Sequence, residues 1–174
     1  MFTILILPLL AFFALSAFFS LSETAIFASN KYKLRHLGSK GNKPAQTLIE
    51  WLDSPDKLLA TLLLGNNFAS IGAATVSAAI VSRIVINPHL NIALAIETVV
   101  LTIVILLFCE LGPKAVATRY PERISLRVVL PIGIFMNLFY PGNHDVLNLP
   151  LGKLQNTFKH LRVFRVLVAV EQSP

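Results

Sequence analysis

The chain has 174 residues, of which 55% are hydrophobic and only 14% charged, with a mean hydropathy of +0.69. Soluble domains carry about a quarter of their residues as charged groups, so this chain must hide its apolar surface in something other than water. One cysteine, Cys109, excludes an internal disulfide framework or a multi-cysteine metal site. The net charge of +6 is not laid out as the basic, aromatic-interleaved stripe of a nucleic-acid binder, so no nucleic-acid partner is expected.

The first apolar run, residues 2–29, contains a single charge, Glu23. About 20 apolar residues cross a bilayer core, so the run is long enough to span. The "ALSA" at 14–17 resembles a signal-peptide cleavage site, but no Lys or Arg precedes the run and hydrophobicity resumes with "AIFA". A membrane span is therefore expected. Ser16, Ser20 and Glu23 fall at i, i+4 and i+7 on one helix face. Ser22 lies about 200° around from Ser20, so both hydroxyls serve one point only if the helix unwinds or carries a π-bulge. The plainer role for such serines is back-bonding to the i−4 carbonyl. Glu23 is harder to dismiss, because an intramembrane carboxylate is costly and usually functional.

Residues 31–56 read as two short helices broken at 38–41, with Pro44 near the start of the second and Asp53 or Ser54 as N-cap before Pro55. A second span follows at about 58–82. Its Gly65, Ala69, Ala73 and Ser77 form a small-residue stripe of the kind that lets membrane helices approach closely. Asn66, Asn67 and Ser70 lie beside it. Their plain role is interhelical hydrogen bonding; their functional one is oxygen ligation. A third span, about 90–109, contains Glu97 and ends in "LLFCELGPKA", residues 106–115. Glu110 and Lys114, four apart, suit a helix-surface ion pair. Pro113 argues for more, since its ring displaces the Cys109 carbonyl and removes a donor, leaving carbonyl and carboxylate together before Gly112 turns the chain. Residues 124–141 are short, contain Arg127 and are interrupted by Pro131 and Gly133. They read as a bent or interfacial helix pair rather than a span.

The basic loops fix an expected orientation. Lys31, Lys33, Arg35, Lys40, Lys43 and Lys57 lie between the first two spans, and Lys114, Arg119 and Arg123 follow the third. By the positive-inside rule both segments are cytoplasmic, which puts the N-terminus outside and the C-terminus inside. The fold class expected is an all-α, multi-pass integral membrane protein of the cell membrane. Three transmembrane helices carry a cytoplasmic helix pair between the first two and a juxtamembrane belt after the third. Residues 143–174 form a tail in which "VFRVLVAV" alternates weakly. All three spans place oxygen donors in the inner half, the set that hard cations prefer.

Three segments, "SLSETAIFASNKYKLRHLGSKGNKPA", "LLATLLLGNN" and "ELGPKAVATRYPERIS", together resemble the transmembrane domain of the CNNM/CorC magnesium transporters over residues 1–142. The resemblance implies a homodimer and export of Mg²⁺ driven by inward Na⁺, with Mg²⁺ held in an inward-facing cavity. Matched motif by motif, it points to Ser20, Ser22 and Glu23, then Gly65, Asn66 and Asn67, then Glu110 and Gly112 as the metal site. Pro113, Lys114 and Ser70 support it, and Ser22, Asn66 and Glu110 are the first expected ligands. It also implies nucleotide-binding CBS domains in the full-length protein; none lies within these 174 residues. The competing reading is a dimeric membrane scaffold that senses Mg²⁺ without moving it. No enzyme is expected: the four histidines, His36, His89, His144 and His160, fall in loops or the tail, where no intramembrane hydrolase could use them.

Overall fold

The computed structural model of the chain describes residues 2–85 and 89–139, with side chains from residue 5 onward; the tail at 143–174 and its alternating segment lie outside them. The described chain is all helix. In order it forms α1 (Phe2–Ala28), α2 (Lys31–Ser39), α3 (Lys43–Asp53), α4 (Asp56–Ile84), α5 (Leu90–Val104), a π-helical segment (Ile105–Leu111), α6 (Gly112–Arg119) and α7 (Pro121–Phe139). Three helical stretches are long and apolar enough to cross a membrane: Leu5–Ala28, Asp56–Ile84 and Leu90–Arg119. The protein is an all-α, multi-pass membrane domain.

The α2–α3 pair is built by local chemistry. Asn30 caps α2, its side-chain oxygen accepting the Tyr32 and Lys33 amides at 2.9 and 3.3 Å. Asn42 caps α3 by accepting the Ala45 amide at 3.1 Å, and Pro44 sits in the first turn, where its missing N–H costs nothing. Gly41 joins them with φ +87°, a left-handed conformation that glycine adopts without steric cost. The expected cap of α4 is not made. Ser54 instead closes α3 through its amide to the Glu50 carbonyl, Asp53 lies 3.6 Å from Lys31, and α4 starts at Pro55 without a side-chain cap.

Two further expectations are corrected. The third span does not stop at residue 109 and turn at Gly112. It continues through the π-helical segment into α6, with Gly112 itself helical (φ −59°, ψ −56°). The widened turn provides the physical reason: the Gly112 amide reaches back five residues to the Leu107 carbonyl, so the register slips just ahead of Pro113 and the helix survives its missing donor. The segment after it is one helix, α7, rather than a pair, with Pro131 inside it. Its buried residues Ser125, Val128, Val129, Ile132, Gly133 and Met136 repeat at i, i+3, i+4, i+7, the stripe of a helix laid on a partner. That partner is α1: Phe135 meets Phe19 edge-on at 5.0 Å between centroids, and the Ser29 and Ser125 hydroxyls hydrogen-bond at 2.8 Å. Lys33, bonded to Glu122 at 3.0 Å, ties the helix pair to the start of α7.

Candidate functional site

The site is assembled where α1 and α4 run antiparallel in near contact. That approach depends on two glycines. A Cβ at Gly65 would lie 2.2 Å from the Phe19 ring, and one at Gly72 would lie 2.5 Å from the Phe12 ring. Phe12 and Phe19 are seven residues apart on α1, as Gly65 and Gly72 are on α4, so two rings of one helix seat in two notches of the other. The small-residue stripe packs within the chain at this seam: Gly65, Ala69 and Ala73 are all buried.

Between the two ring-and-notch contacts the polar groups meet. Ser16 Oγ donates to Asn66 Oδ1 at 2.9 Å and lies 3.4 Å from Ser70 Oγ. One turn along α1, Ser20 Oγ donates to the Glu110 carbonyl of the π-helical segment at 3.3 Å. Ser16 and Ser20 are each 1% exposed. Three spans thus contribute hydroxyl, amide and carbonyl oxygens to adjoining turns. The carbonyl delivered to α1 is that of Glu110, one residue on from the Cys109 carbonyl expected from the proline.

The remaining expected residues are placed differently. Ser22 is fully buried, but its hydroxyl donates to the Phe18 carbonyl at 2.7 Å. α1 stays regular, so Ser20 and Ser22 point apart as the offset of about 200° requires, and Ser22 does not join the cluster. Asn67 is exposed on the outer face of α4. Gly65 is a ring seat. Gly112 closes the π-helical turn, where a Cβ would meet the Leu107 carbonyl oxygen at 3.1 Å. Lys114 does not hold Glu110. Its Nζ lies 3.8 Å from Glu23 Oε2, with both side chains 44% exposed, so this pair crosses from α6 to α1. Glu110 itself is half-buried beside the buried Cys109. Outside the spans, the Lys33 ammonium bonded to Glu122 holds that carboxyl below its ordinary range.

The i, i+4 spacing puts Ser16 on the right face although the expected ligand set omits it, and Phe12, Phe19 and Gly72 form a frame outside that set. The matching seven-residue spacings were the available signal. Among the described residues no three His, Cys, Asp or Glu side chains come together, so a cation here would meet mainly neutral oxygens and retained water.

Comparison with known proteins agrees with this architecture. The family described as Cyclin M transmembrane N-terminal domain matches residues 6–163. A UPF0053 protein of Haemophilus influenzae is 35% identical over 147 residues, covering 79% of this chain and 34% of its own. The UPF0053 inner membrane protein YfjD of Escherichia coli is 37% identical over 125 residues, covering 70% and 28%. An Escherichia coli polyamine export protein is 33% identical over 136 residues, covering 73% and 30%. The chain therefore spans about a third of the length of these relatives. With three membrane-length helices, the interhelical oxygen cluster and a family match over most of its length, the chain belongs to the CNNM family through its transmembrane domain.

Proposed function

We propose that this domain carries Mg²⁺ across the membrane as an exporter coupled to inward Na⁺, working as a homodimer. The carrying observation is the convergence of α1, α4 and the π-helical segment on the Ser16–Asn66–Ser70 and Ser20–Glu110 contacts. Hydroxyl, amide and backbone carbonyl oxygens that engage one another across helices in a lipid-embedded core are poised to trade partners for a hard cation. The π-helical turn supplies irregular backbone at depth, as transport sites built on broken helices do. Mg²⁺ dehydrates reluctantly, so the neutral oxygens take up a partly hydrated ion while Glu110 and Glu23 offset its charge. The N-terminus lies outside and the helix pair, with its Lys31, Lys33 and Arg35, lies at the cytoplasmic face, so the site is loaded from within. Lipid surrounds the apolar outer faces, and the full-length protein continues into nucleotide-binding CBS domains.

Calorimetry on the purified protein and flux in proteoliposomes test this. Glu110→Ala is expected to abolish Mg²⁺ binding, and flux is expected to require a Na⁺ gradient. Binding without flux in the wild type would establish the sensing scaffold instead. The polyamine export relatives favour a second cargo, an organic polycation, for the same oxygen-lined site. Parallel flux of Mg²⁺ and spermidine separates the two.

A further inference from the structure

Glu97 is the only charged residue between Arg83 and Glu110, and it belongs to none of the contacts above. It lies on the less exposed stripe of α5 with Leu94, Leu101 and Val104, whereas Ile92, Ile96, Val99, Val100 and Ile103 on the opposite side are exposed. Its Oε1 is sealed from solvent and has no hydrogen-bond partner among the described residues. A helix that only faced lipid would carry an apolar side chain here, and a structural carboxylate would find a donor. A sealed carboxylate oxygen without either is costly, and a cation is the partner that removes the cost.

Its depth separates it from the proposed inner site. Glu97 precedes Glu110 by about 20 Å of helix, at about 1.5 Å per residue. It sits seven residues past Leu90, the first residue of α5, as Ser77 sits seven before Ile84, the last of α4, so these two share a level near the end of the bundle opposite α2–α3. Asn66, Ser70 and Ser77 lie within about 40° on α4. The face of α4 that meets Ser16 therefore continues, past the small Ala73 and Ala74, as a track of small and polar residues to Ser77 at the level of Glu97.

Building on the transport proposal, we infer that Glu97 is a cation relay in the distal half of the membrane, receiving the partly hydrated hard cation passed from the Ser16–Asn66–Ser70 cluster along that track. The single carboxylate holds the ion weakly enough to release it, with water completing the shell.

The test uses the full-length protein in proteoliposomes, with Mg²⁺ as probe, and the variants Glu97→Gln and Glu97→Asp. Gln keeps the shape and removes the charge; Asp keeps the charge. Glu97→Gln is expected to cut Mg²⁺ flux by at least about tenfold, Glu97→Asp to retain part of it, and calorimetric Mg²⁺ affinity and melting temperature to stay near wild type in both. Wild-type flux in Glu97→Gln overturns the relay while leaving the transport proposal standing. So does a flux loss matched by a loss of affinity or of thermal stability, or one that Asp does not relieve. A wild-type protein that moves no Mg²⁺ overturns the transport proposal itself, and the relay with it.

Discussion

Gly65→Ala is the sharpest test of the α1–α4 seam. The added Cβ would lie 2.2, 2.4 and 2.5 Å from three atoms of the Phe19 ring, where ordinary contact begins at 3.4 Å. The ring must retreat by about 1.2 Å, and it is 1% exposed and locked edge-on against Phe18 and Phe135. Overpacking of this kind costs about 1–3 kcal/mol, and a rigid buried ring belongs at the upper end. Alanine regains about 1 kcal/mol of helix propensity over glycine, which leaves a net destabilisation of about 2 kcal/mol. Gly72→Ala should cost less, because Phe12 is only half-buried and its ring can swing outward. Gly38→Ala should be milder still, since its nearest contact, Gln46 Cγ, is 3.3 Å away and only a few tenths of an ångström of movement is needed. Reversible unfolding in mixed micelles, followed by helical circular dichroism, gives the three values. A double-mutant cycle of Gly65→Ala with Phe19→Ala should show a coupling of at least about 1 kcal/mol, because the clash disappears with the ring. A Gly65→Ala protein as stable as the wild type, or two substitutions that add independently, would refute a ring seated in the Gly65 notch.

Ser16→Ala removes the donor to Asn66, and should lower stability by about 1 kcal/mol while also weakening Mg²⁺ binding in calorimetry. Lys114→Met breaks a pair that is exposed on both sides, so its effect on the unfolding free energy should stay below about 0.5 kcal/mol. Because the carboxyl of Glu122 is lowered by its bond to Lys33, the contact stabilises above the ordinary carboxylate range and is lost as pH falls through the lowered value. Thermal melts of wild type and Glu122→Gln should accordingly differ at neutral pH and converge in acid. Cys109 is buried, and a maleimide should label it only after denaturation, as judged by mass spectrometry.

Much of the fold was legible in the chain because it rests on local physics. Apolar run length set the three spans, and the 38–41 break and Pro44 punctuated the helix pair at the expected places, while the Asn30 and Asn42 caps emerged only with the structure. The candidate site was legible only by face. The i, i+4 spacing put Ser16 and Ser20 together, and the angular offset already showed that Ser22 could not join them in a regular helix.

What the sequence could not settle were choices made by neighbours. A proline in an apolar run permits either a helix end or a slipped register. Packing of the π-helical segment against α1 accompanies the second, and the break expected at Gly112 becomes a continuous helix that presents the Glu110 carbonyl to Ser20. Lys114 had two carboxylates within plausible reach, Glu110 on its own helix and Glu23 on another. The approach of α6 to α1 decided for Glu23. The small-residue stripe was equally compatible with packing inside one subunit or between two, and only the seating of Phe12 and Phe19 assigned it to this chain's own seam. Local propensity and hydropathy act within a few residues of sequence. The polar cluster depends on separations of 50 and 90 residues, and it exists only once the helices are in contact.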